Sequence, residues 1–238
     1  MVKSPENMVT FKEDTHQYFN VLGTEYQSVT KVLHSYCAPF DQDYHAERKA
    51  QKLGIPKWEV LAEWKRTTDE ACDFGTRIHL LMENYIKRGE RGETPFNLYE
   101  SFDNAMRDYV GQRRKILSEV ILWNDEARVA GTSDIIVELN DEEFCVGDFK
   151  TNKKFTYFSA FGNRMLFPLE HITDSKYSVY ALQLSVYAYF YELISGKRCR
   201  NVFLLYLEDG AWKFIPANYM KYEVMALLRH YKNQNAVG

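Results

Sequence analysis

Apolar and polar residues alternate with two different periods along this chain. Near the N-terminus they form three short β-prone runs between turn-forming residues: VTFK, QYFNV and EYQSV. Runs of this kind predict a small β-meander, and Ser28 is placed to cap a short helix directly after it. From Asp41 to about Gly89 the apolar residues recur at helical spacing, which predicts helices with an interruption near Gly54.

The period changes in the middle of the chain. A helix is predicted from about Leu98 to Leu117. Three β-rich runs follow, separated by Asn-Asp-Glu turn clusters: SEVILW, ARVAGTSDIIVEL and EFCVGDFK. This pattern predicts an antiparallel meander of three strands. Ile135, Ile136 and Val137 are apolar in succession, so we expect the middle strand to be covered on both faces.

The last third of the chain is predicted to hold a connection, two helices and a hairpin. A basic, aromatic connection covers residues 151–173, and Asp174 is the predicted N-cap of a helix that ends before Gly196. A hairpin is predicted around residues 208–210, and a final helix from about Asn218. Together these elements predict an α/β fold in which a mixed central β-sheet is flanked by helices.

The composition narrows the class of protein. Of 238 residues, 45% are hydrophobic and 15% are aromatic, which excludes a disordered chain. The formal net charge is only -3, so contacts with nucleic acid would need local basic patches. The 4 cysteines are scattered without a CxxC pair, which predicts reduced thiols and no zinc knuckle. Because no signal sequence and no apolar run of about 18 residues is found, we expect a cytoplasmic protein without a membrane segment.

Two acids and a lysine lie close together on the hairpin that the second and third strands of the meander are predicted to form. Side chains alternate along a strand, so Asp148 and Lys150 share one face, about 6 to 7 Å apart. If the turn is a three-residue loop at residues 140–142, Asp134 falls directly opposite Asp148, with their Cβ atoms about 5 Å apart. A slip of one residue would separate the two acids.

The proximity of these two carboxylates has a chemical consequence. They repel each other, and one takes up a proton unless a divalent cation lies between them. Oxygen ligands suit Mg²⁺ or Mn²⁺, and a nearby lysine can orient water or stabilise charge on a phosphate oxygen. The alternative is a solvated hairpin, which is the better interpretation for residues 141–143. Asp134 and Asp148 instead adjoin apolar residues, and Gly131 and Gly147 indicate close approach of the backbone.

Short motifs in this hairpin resemble those of a nuclease family. GTSD, which ends at Asp134, and GDFKT, which contains Lys150, are similar to motifs of the PD-(D/E)xK nuclease superfamily, in particular of its RecB-like exonuclease branch. Two further motifs occur in the matching order along the chain: GTRIHLLME contains His79, and QLSVY begins at Gln183. The resemblance covers roughly residues 75–187.

The resemblance implies a metal centre on this hairpin. The implied metal ligands are His79, Asp134, Asp148 and the backbone carbonyl of Phe149, and Lys150 would serve the nucleophile. The implied cofactor is Mg²⁺ or Mn²⁺. For His79 the alternative is a histidine in the core or at its boundary.

Three more residues receive roles from the same resemblance. Gln183 would order the catalytic site from the next helix, and Tyr187 would touch the substrate, although a structural role for this pair stays open. Glu119 would supply a further acid to the metal, directly or through water, or else is an ordinary strand glutamate.

The connection at residues 151–173 mixes basic and aromatic side chains. Lys153, Lys154 and Arg164 interleave with phenylalanine and tyrosine residues, and such a mixture is suited to binding phosphates and stacking bases. The alternative is a solvated loop whose rings face the core. We expect these three basic residues to bind the substrate.

The resemblance also implies the architecture and the activity. It implies one nuclease domain over residues 1–238 with a restriction-endonuclease-like core. Residues 1–70 would form the meander and helices, residues 71–195 the catalytic core, and residues 196–238 the C-terminal hairpin and helix. The implied function is a metal-dependent DNA nuclease, most simply an exonuclease, that hydrolyses phosphodiester bonds with metal-activated water. Two alternatives stay open: an RNA endonuclease of the same superfamily, similar to viral cap-snatching enzymes, and a non-catalytic nucleic-acid-binding subunit that retains the fold.

Two departures from the family bear on cofactors and partners. Some RecB-like relatives hold an iron-sulfur cluster with three cysteines beyond the Q-x-x-x-Y helix, whereas only Cys199 lies beyond Tyr187 here, so we predict no such cluster. A phosphate-binding loop is also missing, so no nucleotide cofactor is expected. The expected partner is DNA with single- or double-stranded ends, and its unwinding would need a helicase or recombination partner.

Overall fold

A computed structural model of the chain describes residues 8–111, 114–159 and 161–235. These residues form a mixed sheet of eight strands with helices on both faces. The strands are β1 Val9–Lys12, β2 Gln17–Asn20, β3 Glu25–Ser28, β4 Lys115–Asn124, β5 Val129–Glu138, β6 Glu143–Lys150, β7 Arg198–Glu208 and β8 Ala211–Ala217. The helices are α1 Val29–His34, α2 Gln42–Leu53, α3 Lys57–Arg88, α4 Leu98–Ala105, α5 Lys176–Ser195 and α6 Lys221–Asn235. The predicted fold class, a mixed central sheet flanked by helices, is confirmed.

The order of the strands creates a gap beside β5. The sheet runs β1-β2-β3-β5-β6-β7-β8, and β4 pairs with the other edge of β5 along its whole length. Because β4 occupies that edge, β3 and β6 share the remaining one: β3 pairs in parallel at Val129 and Ala130, and β6 pairs antiparallel from Ile135 to Glu138. Residues 131–134 lie between these two ladders, at the place where β6 leaves β5 and continues beside β7.

Helices cover both faces of the sheet. Side chains alternate along each strand, so a strand between the two helical layers can contribute residues to both cores. On one face α1, α5 and α6 pack on the sheet, and the core there includes Val29, Ile136, Val146, Phe190, Leu204 and Leu227. On the other face α3 and α4 pack on the sheet, and the core there includes Ile78, Phe102, Ile135, Val137, Phe149 and Phe203. The expectation that the middle strand of the meander is covered on both faces is therefore confirmed.

Several local predictions are also confirmed. β1, β2 and β3 form the N-terminal meander, and the Ser28 hydroxyl accepts a hydrogen bond from the Lys31 amide (3.2 Å) at the start of α1. The helical span breaks between α2 and α3, where Gly54 adopts the left-handed conformation (φ 67°) that favours glycine. β4, β5 and β6 are antiparallel, as expected. No helix in the described ranges is long and apolar enough to cross a membrane.

The helix predicted from about Leu98 to Leu117 is wrong in its second half. α4 ends at Ala105 and continues only as a π-helical turn, Met106–Val110, and β4 begins at Lys115. Leu117 is a strand residue: it pairs with Ile136 of β5 and does not continue the helix. Residues 112 and 113, which the predicted helix includes, lie outside the described residues.

The predicted cap of α5 is wrong by one residue. Ser175, not Asp174, caps the helix by accepting a hydrogen bond from the Ser178 amide (3.2 Å). The Asp174 carboxylate instead accepts one from the Ala38 amide (2.8 Å). Asp174 therefore ties the connection at residues 151–173 to the loop after α1, a long-range contact that local cap preferences do not reveal. The last helix begins at Lys221 rather than near Asn218.

Candidate active site

Three acids lie in one row across the strands β4, β5 and β6. Ile135 pairs with Gly147 at the end of the β5–β6 ladder, so Asp134 and Asp148 are the next residues on the two strands, in the register that the three-residue turn predicts. On the other edge of β5, residues 118 and 120 pair with residues 135 and 133, which places Glu119 opposite Asp134 as well. Neighbouring strands are about 4.8 Å apart. The row therefore concentrates three carboxyl groups at the gap beside β5.

The backbone at Glu119 departs from regular strand geometry. Glu119 has φ 54°, in the left-handed region that non-glycine residues seldom adopt, and the ladder between β4 and β5 is interrupted there. Such a conformation costs roughly 1 to 3 kcal/mol and is retained where the surroundings enforce it. The distortion lies at the residue whose carboxylate joins the candidate cluster described next.

His79 of α3 completes a cluster that could hold a cation. Its Nδ1 atom lies 3.3 Å from Asp134 Oδ2. The ligand atoms of His79, Glu119 and Asp134 all lie within 4.8 Å of one another. One imidazole and two carboxylates are ligands that divalent cations such as Mn²⁺ accept, although Mg²⁺ prefers oxygen. The arrangement is consistent with a divalent metal site.

Asp134 is held in place by the backbone that leaves the ladder. The Phe149 amide donates a hydrogen bond to Asp134 Oδ2 (2.9 Å), because β6 no longer pairs with β5 at this point. The ring of Phe149 points into the core beside α3 and lies 5.8 Å from the His79 ring. Phe149 thus contacts both residues, Asp134 through its amide and His79 through its ring. A role for the Phe149 carbonyl as a ligand stays a prediction.

Asp148 forms a buried ion pair with Lys150 and is not part of the three-residue cluster. Asp148 is 3% exposed, and Lys150 Nζ lies 2.5 Å from its Oδ2 atom. The contact is an ion pair rather than a well-directed hydrogen bond, and no other described group donates to this oxygen. This oxygen already contacts the Lys150 ammonium, whereas the imidazole of His79 and the carboxylates of Glu119 and Asp134 are a donor set that suits a divalent cation. The residues present therefore fit a divalent metal.

Burial and like charge act on the pKa values of these acids. Burial, reinforced by the charge of Asp134, raises the pKa of Asp148 to about 6, although Lys150 opposes the shift. Burial, the charge of Asp134 and that of Glu83 raise the pKa of Glu119 to about 8. For Lys150, burial lowers the pKa, but the attraction of Asp148 and Asp134 outweighs it, so the net shift is upward. The site carries more negative charge than its lysine neutralises.

In addition to Asp148, two side chains of helix α5 contact Lys150. The Lys150 ammonium donates a hydrogen bond to Gln183 Oε1 (3.4 Å), and Gln183 Nε2 donates one to the Tyr187 hydroxyl (3.2 Å). Lys150 Nζ also lies 4.5 Å from the centre of the Tyr180 ring, a cation–π distance. The lysine is thus fixed by Asp148, an amide and an aromatic face.

Tyr187, which the resemblance places in contact with the substrate, lies inside the core of the structure. Tyr187 is only 3% exposed, and burial raises the pKa of its hydroxyl well above the usual value. A Cβ atom on Gly131 would lie 2.8 Å from the Tyr187 ring, which shows how closely strand and ring approach. In this enclosed position the Tyr187 hydroxyl accepts the hydrogen bond from Gln183, and contact of Tyr187 with a substrate stays a prediction. The close approach expected at Gly131 and at Gly147 is confirmed, since a Cβ on Gly147 would lie 2.4 Å from Phe203.

Two residues of the site were not singled out from the sequence. Glu83 lies one helical turn after His79 on α3, and its charge adds to the raised pKa of Glu119. Tyr180 precedes Gln183 by three residues on α5 and covers Lys150. Spacings of three and four residues on a helix place side chains on one face. That spacing is the signal that would have found both.

The three predicted substrate-binding residues all belong to the connection after β6. Lys153 and Lys154 are exposed close to the end of β6. Arg164 is exposed too, but its guanidinium donates a hydrogen bond to the His171 carbonyl (2.9 Å) within the connection itself. Their contact with a substrate stays a prediction.

Comparison with known proteins gives little further information. No protein-family model matches the chain, and no curated protein is similar to it. Among solved structures, SSO0001 aligns with a TM-score of 0.36 and 14% identity, over 89% of this chain and 78% of that one. A candidate exonuclease from Eubacterium rectale aligns with a TM-score of 0.35 and 10% identity, over 88% of this chain and 82% of that one. These scores are too low to assign the chain to a family.

Proposed function

We propose that this chain is a metal-dependent nuclease that hydrolyses the phosphodiester bonds of DNA, beginning at an end. The observation that carries the proposal is the row of Glu119, Asp134 and Asp148, with His79 on one side and Lys150 on the other. Acids, an imidazole and a lysine in this arrangement suit phosphodiester hydrolysis.

The acidic row and the histidine would hold the metal. His79, Glu119 and Asp134 already lie within 4.8 Å of one another, and Asp148 is the remaining carboxylate of the row. A divalent cation bound there supplies Lewis-acid polarisation of the phosphodiester and offsets the charge that develops during attack by water. The excess of negative charge among these residues is what such a cation would neutralise.

Lys150 is proposed to stabilise charge on a phosphate oxygen. Its pKa is raised because the attraction of Asp148 and Asp134 outweighs burial, so the side chain is an ammonium near neutral pH. An ammonium donates hydrogen bonds and cannot accept a proton, which favours electrostatic stabilisation over a role as general base. Its anchors, Gln183 and Tyr180, reduce the conformational freedom that the side chain would lose in the reaction.

The choice of DNA, and of attack from an end, rests on the RecB-like motifs around Asp134 and Lys150 rather than on geometry. The exposed Lys153 and Lys154 are proposed to bind the phosphates that flank the reacting one. A helicase or recombination protein is the proposed partner for duplex substrates, and the cytoplasm is the proposed location.

Cleavage of end-labelled oligonucleotides tests this function. We would incubate the wild type, Asp148→Asn and Lys150→Ala with single-stranded DNA, duplex DNA and RNA, in Mn²⁺, Mg²⁺ or EDTA. Glu138→Gln is the matched control, because Glu138 is also paired with a lysine, Lys197, but at the far end of β5. Thermal melting would show that each variant is folded.

The expected result is metal-dependent cleavage of DNA by the wild type and the control, with at least about a hundredfold loss in both site variants. Release of mononucleotides from one end identifies an exonuclease and its polarity. Preferential cleavage of RNA would replace the proposed substrate. Binding of nucleic acid without cleavage under any condition would contradict the proposal and indicate a non-catalytic binding subunit.

A further inference from the structure

A pocket lies next to the candidate active site, between the loop that follows α1 and the connection at residues 151–173. Its volume is about 680 Å³, which is in the range of small-molecule sites. Both of these segments and the first turns of α5 contribute to its wall. Residues that line it include Phe40, His45, Phe158, Phe161, Asn163 and Tyr180.

The three phenylalanine rings of this pocket are exposed to solvent. Phe40 is 60% exposed, Phe158 is 82% exposed and Phe161 is 66% exposed. The rings of Phe40 and His45 are stacked, with centres 4.7 Å apart and planes 3° apart, and Phe161 lies 5.3 Å from His45. Exposed apolar groups in one place mark a binding surface. Rings from two distant segments of the chain meet here without burying themselves.

Tyr180 joins this pocket to the candidate active site. Its ring covers Lys150 at 4.5 Å and also forms part of the pocket wall. Its hydroxyl is fixed by a hydrogen bond to Asn152 Oδ1 (3.1 Å). Tyr180 therefore contacts Lys150 and also lines the pocket. A strand whose phosphate lies at Lys150 would bring a neighbouring nucleotide to the pocket.

We infer that this pocket is a base-stacking subsite for single-stranded nucleic acid beside the reacting phosphate. The inference rests on the proposed nuclease function for the placement of the phosphate. Bases stack on aromatic faces only when they are not already paired and stacked in a duplex. Phe40, Phe158 and Phe161 supply such faces, and Asn163 supplies polar atoms for a base edge. The substrate is therefore a single strand or an unpaired end.

The charge around the pocket suits the backbone of such a strand. Asp174 and Lys176 both line the pocket, but the Asp174 carboxylate is already bonded to the Ala38 amide. Lys153 and Lys154 are exposed on the connection that carries the phenylalanine rings, so the cations outnumber the acid. Interleaved cations and rings are how single strands are bound without reading their sequence.

Binding measurements with modified oligonucleotides test the inference separately from cleavage. We would measure fluorescence anisotropy in EDTA with a single-stranded DNA, the same strand with abasic positions, and a blunt duplex. The proteins are the wild type, Phe40→Ala, Phe161→Ala and the control Tyr222→Ala, which removes an aromatic ring that is 84% exposed outside the pocket. Phe40 and Phe161 are themselves exposed, so their removal should leave the melting temperature unchanged.

The expected result is a single-strand Kd that is about 5- to 150-fold weaker for each pocket variant and unchanged for Tyr222→Ala. An abasic position that weakens binding to the wild type should have no further effect on Phe161→Ala. Equal binding of all four proteins, or wild-type binding that favours duplex over single strand, would overturn the inference. If the pocket variants lose single-strand binding but the wild type cleaves no substrate, the stacking subsite is retained and the nuclease function is rejected. If the wild type cleaves DNA but all four proteins bind the single strand equally, the nuclease function is retained and the subsite is rejected.

Discussion

Two lysine–carboxylate pairs lie at opposite ends of the β5–β6 hairpin. At one end, Lys150 Nζ lies 2.5 Å from Asp148. At the other end, Lys197 Nζ lies 2.8 Å from Glu138. Both lysine side chains are largely enclosed, at 16% and 17% exposure. The two contacts look alike, but the surroundings of the carboxylates are opposite.

Glu138 is surrounded by three groups that favour its ionised form. It accepts hydrogen bonds from Lys197 and from the Tyr191 hydroxyl (2.8 Å), and Lys115 lies 3.6 Å away. The hydrogen bond from Lys197 lowers the pKa of Glu138 and outweighs the effect of burial, and Tyr191 and Lys115 act in the same direction. Such an acid is ionised and satisfied, and it stabilises the sheet.

Asp148 is in the opposite situation. Its burial and the nearby charge of Asp134 raise its pKa to about 6 in spite of Lys150. Glu119, at the end of the same row, has a pKa raised to about 8. An ion pair alone therefore says nothing about function. The balance of acids over cations separates the candidate site from the structural pair.

The largest contrast is expected for removal of the two lysines. Lys150→Met should reduce the rate of DNA cleavage by about 10² to 10³, because the ammonium that stabilises the phosphate is lost. Lys197→Met, at the matched position, should leave the rate per folded molecule within about twofold and lower only the melting temperature. Single-turnover cleavage rates and melting curves measure both effects. Equal loss of rate in the two variants would remove the distinction between the two ends.

The pH dependence of stability should separate the two ends next. Glu119 has a raised pKa in the folded protein. Its protonated form therefore adds to the free energy of unfolding in full below about pH 4.5, and this contribution is lost as the pH rises through about 8. Metal-free wild type should therefore lose stability relative to Glu119→Gln between these pH values, on the order of 3 kcal/mol. Urea unfolding in EDTA at several pH values measures it. Parallel pH profiles of the two proteins would show that Glu119 is not perturbed.

Glu138 should show the opposite dependence with a smaller size. Because the pKa of Glu138 is lowered in the folded protein, its ionised form adds to the free energy of unfolding above about pH 4.5. This contribution is lost as the pH falls through the pKa of the folded protein. Glu138→Gln should lower the free energy of unfolding by about 1 to 3 kcal/mol at pH 7, and the difference from wild type should shrink in acid. The same urea series measures it. A variant as stable as wild type at pH 7 would contradict the structural role.

The smallest effect is expected for Lys115. Its side chain is 70% exposed and lies 3.6 Å from Glu138. Exposed pairs contribute roughly 0 to 1 kcal/mol, so Lys115→Met should lower the free energy of unfolding by less than about 1 kcal/mol. High salt should remove the difference, which urea unfolding at two salt concentrations can detect. A larger loss that persists in high salt would mean that Lys115 contributes more than a screened surface charge.

Short-range chemistry made much of this fold readable from the sequence. The turn at residues 140–142 sets the register that brings Asp134 opposite Asp148, and Ser28 caps α1 as its position predicts. Gly131 and Gly147 lie where a Cβ atom would collide with an aromatic ring. Each of these features depends on residues that are near in sequence or on the absence of one side chain.

Contacts between distant segments could not be predicted from the sequence. Asp174 is a good capping residue, but its carboxylate is used by Ala38, which is 136 positions away. The parallel pairing of β3 with β5 creates the gap beside the acidic row, and nothing in either strand specifies its partner. Tyr187 is buried in the core that also contains Val29 of α1, and its ring lies close to Gly131 of β5, so its motif on α5 alone could not reveal this enclosure.

Direct titration of the purified, chelator-treated protein with Mn²⁺ tests the central claim that the acidic row is a cation site. We would compare the wild type, Asp134→Asn and Glu138→Gln by electron paramagnetic resonance of the free ion. The account predicts that the wild type and Glu138→Gln bind Mn²⁺ equally, and that Asp134→Asn, which keeps an acceptor for the Phe149 amide, binds it at least about tenfold more weakly. Equal binding by all three proteins would place the cation elsewhere and contradict the account.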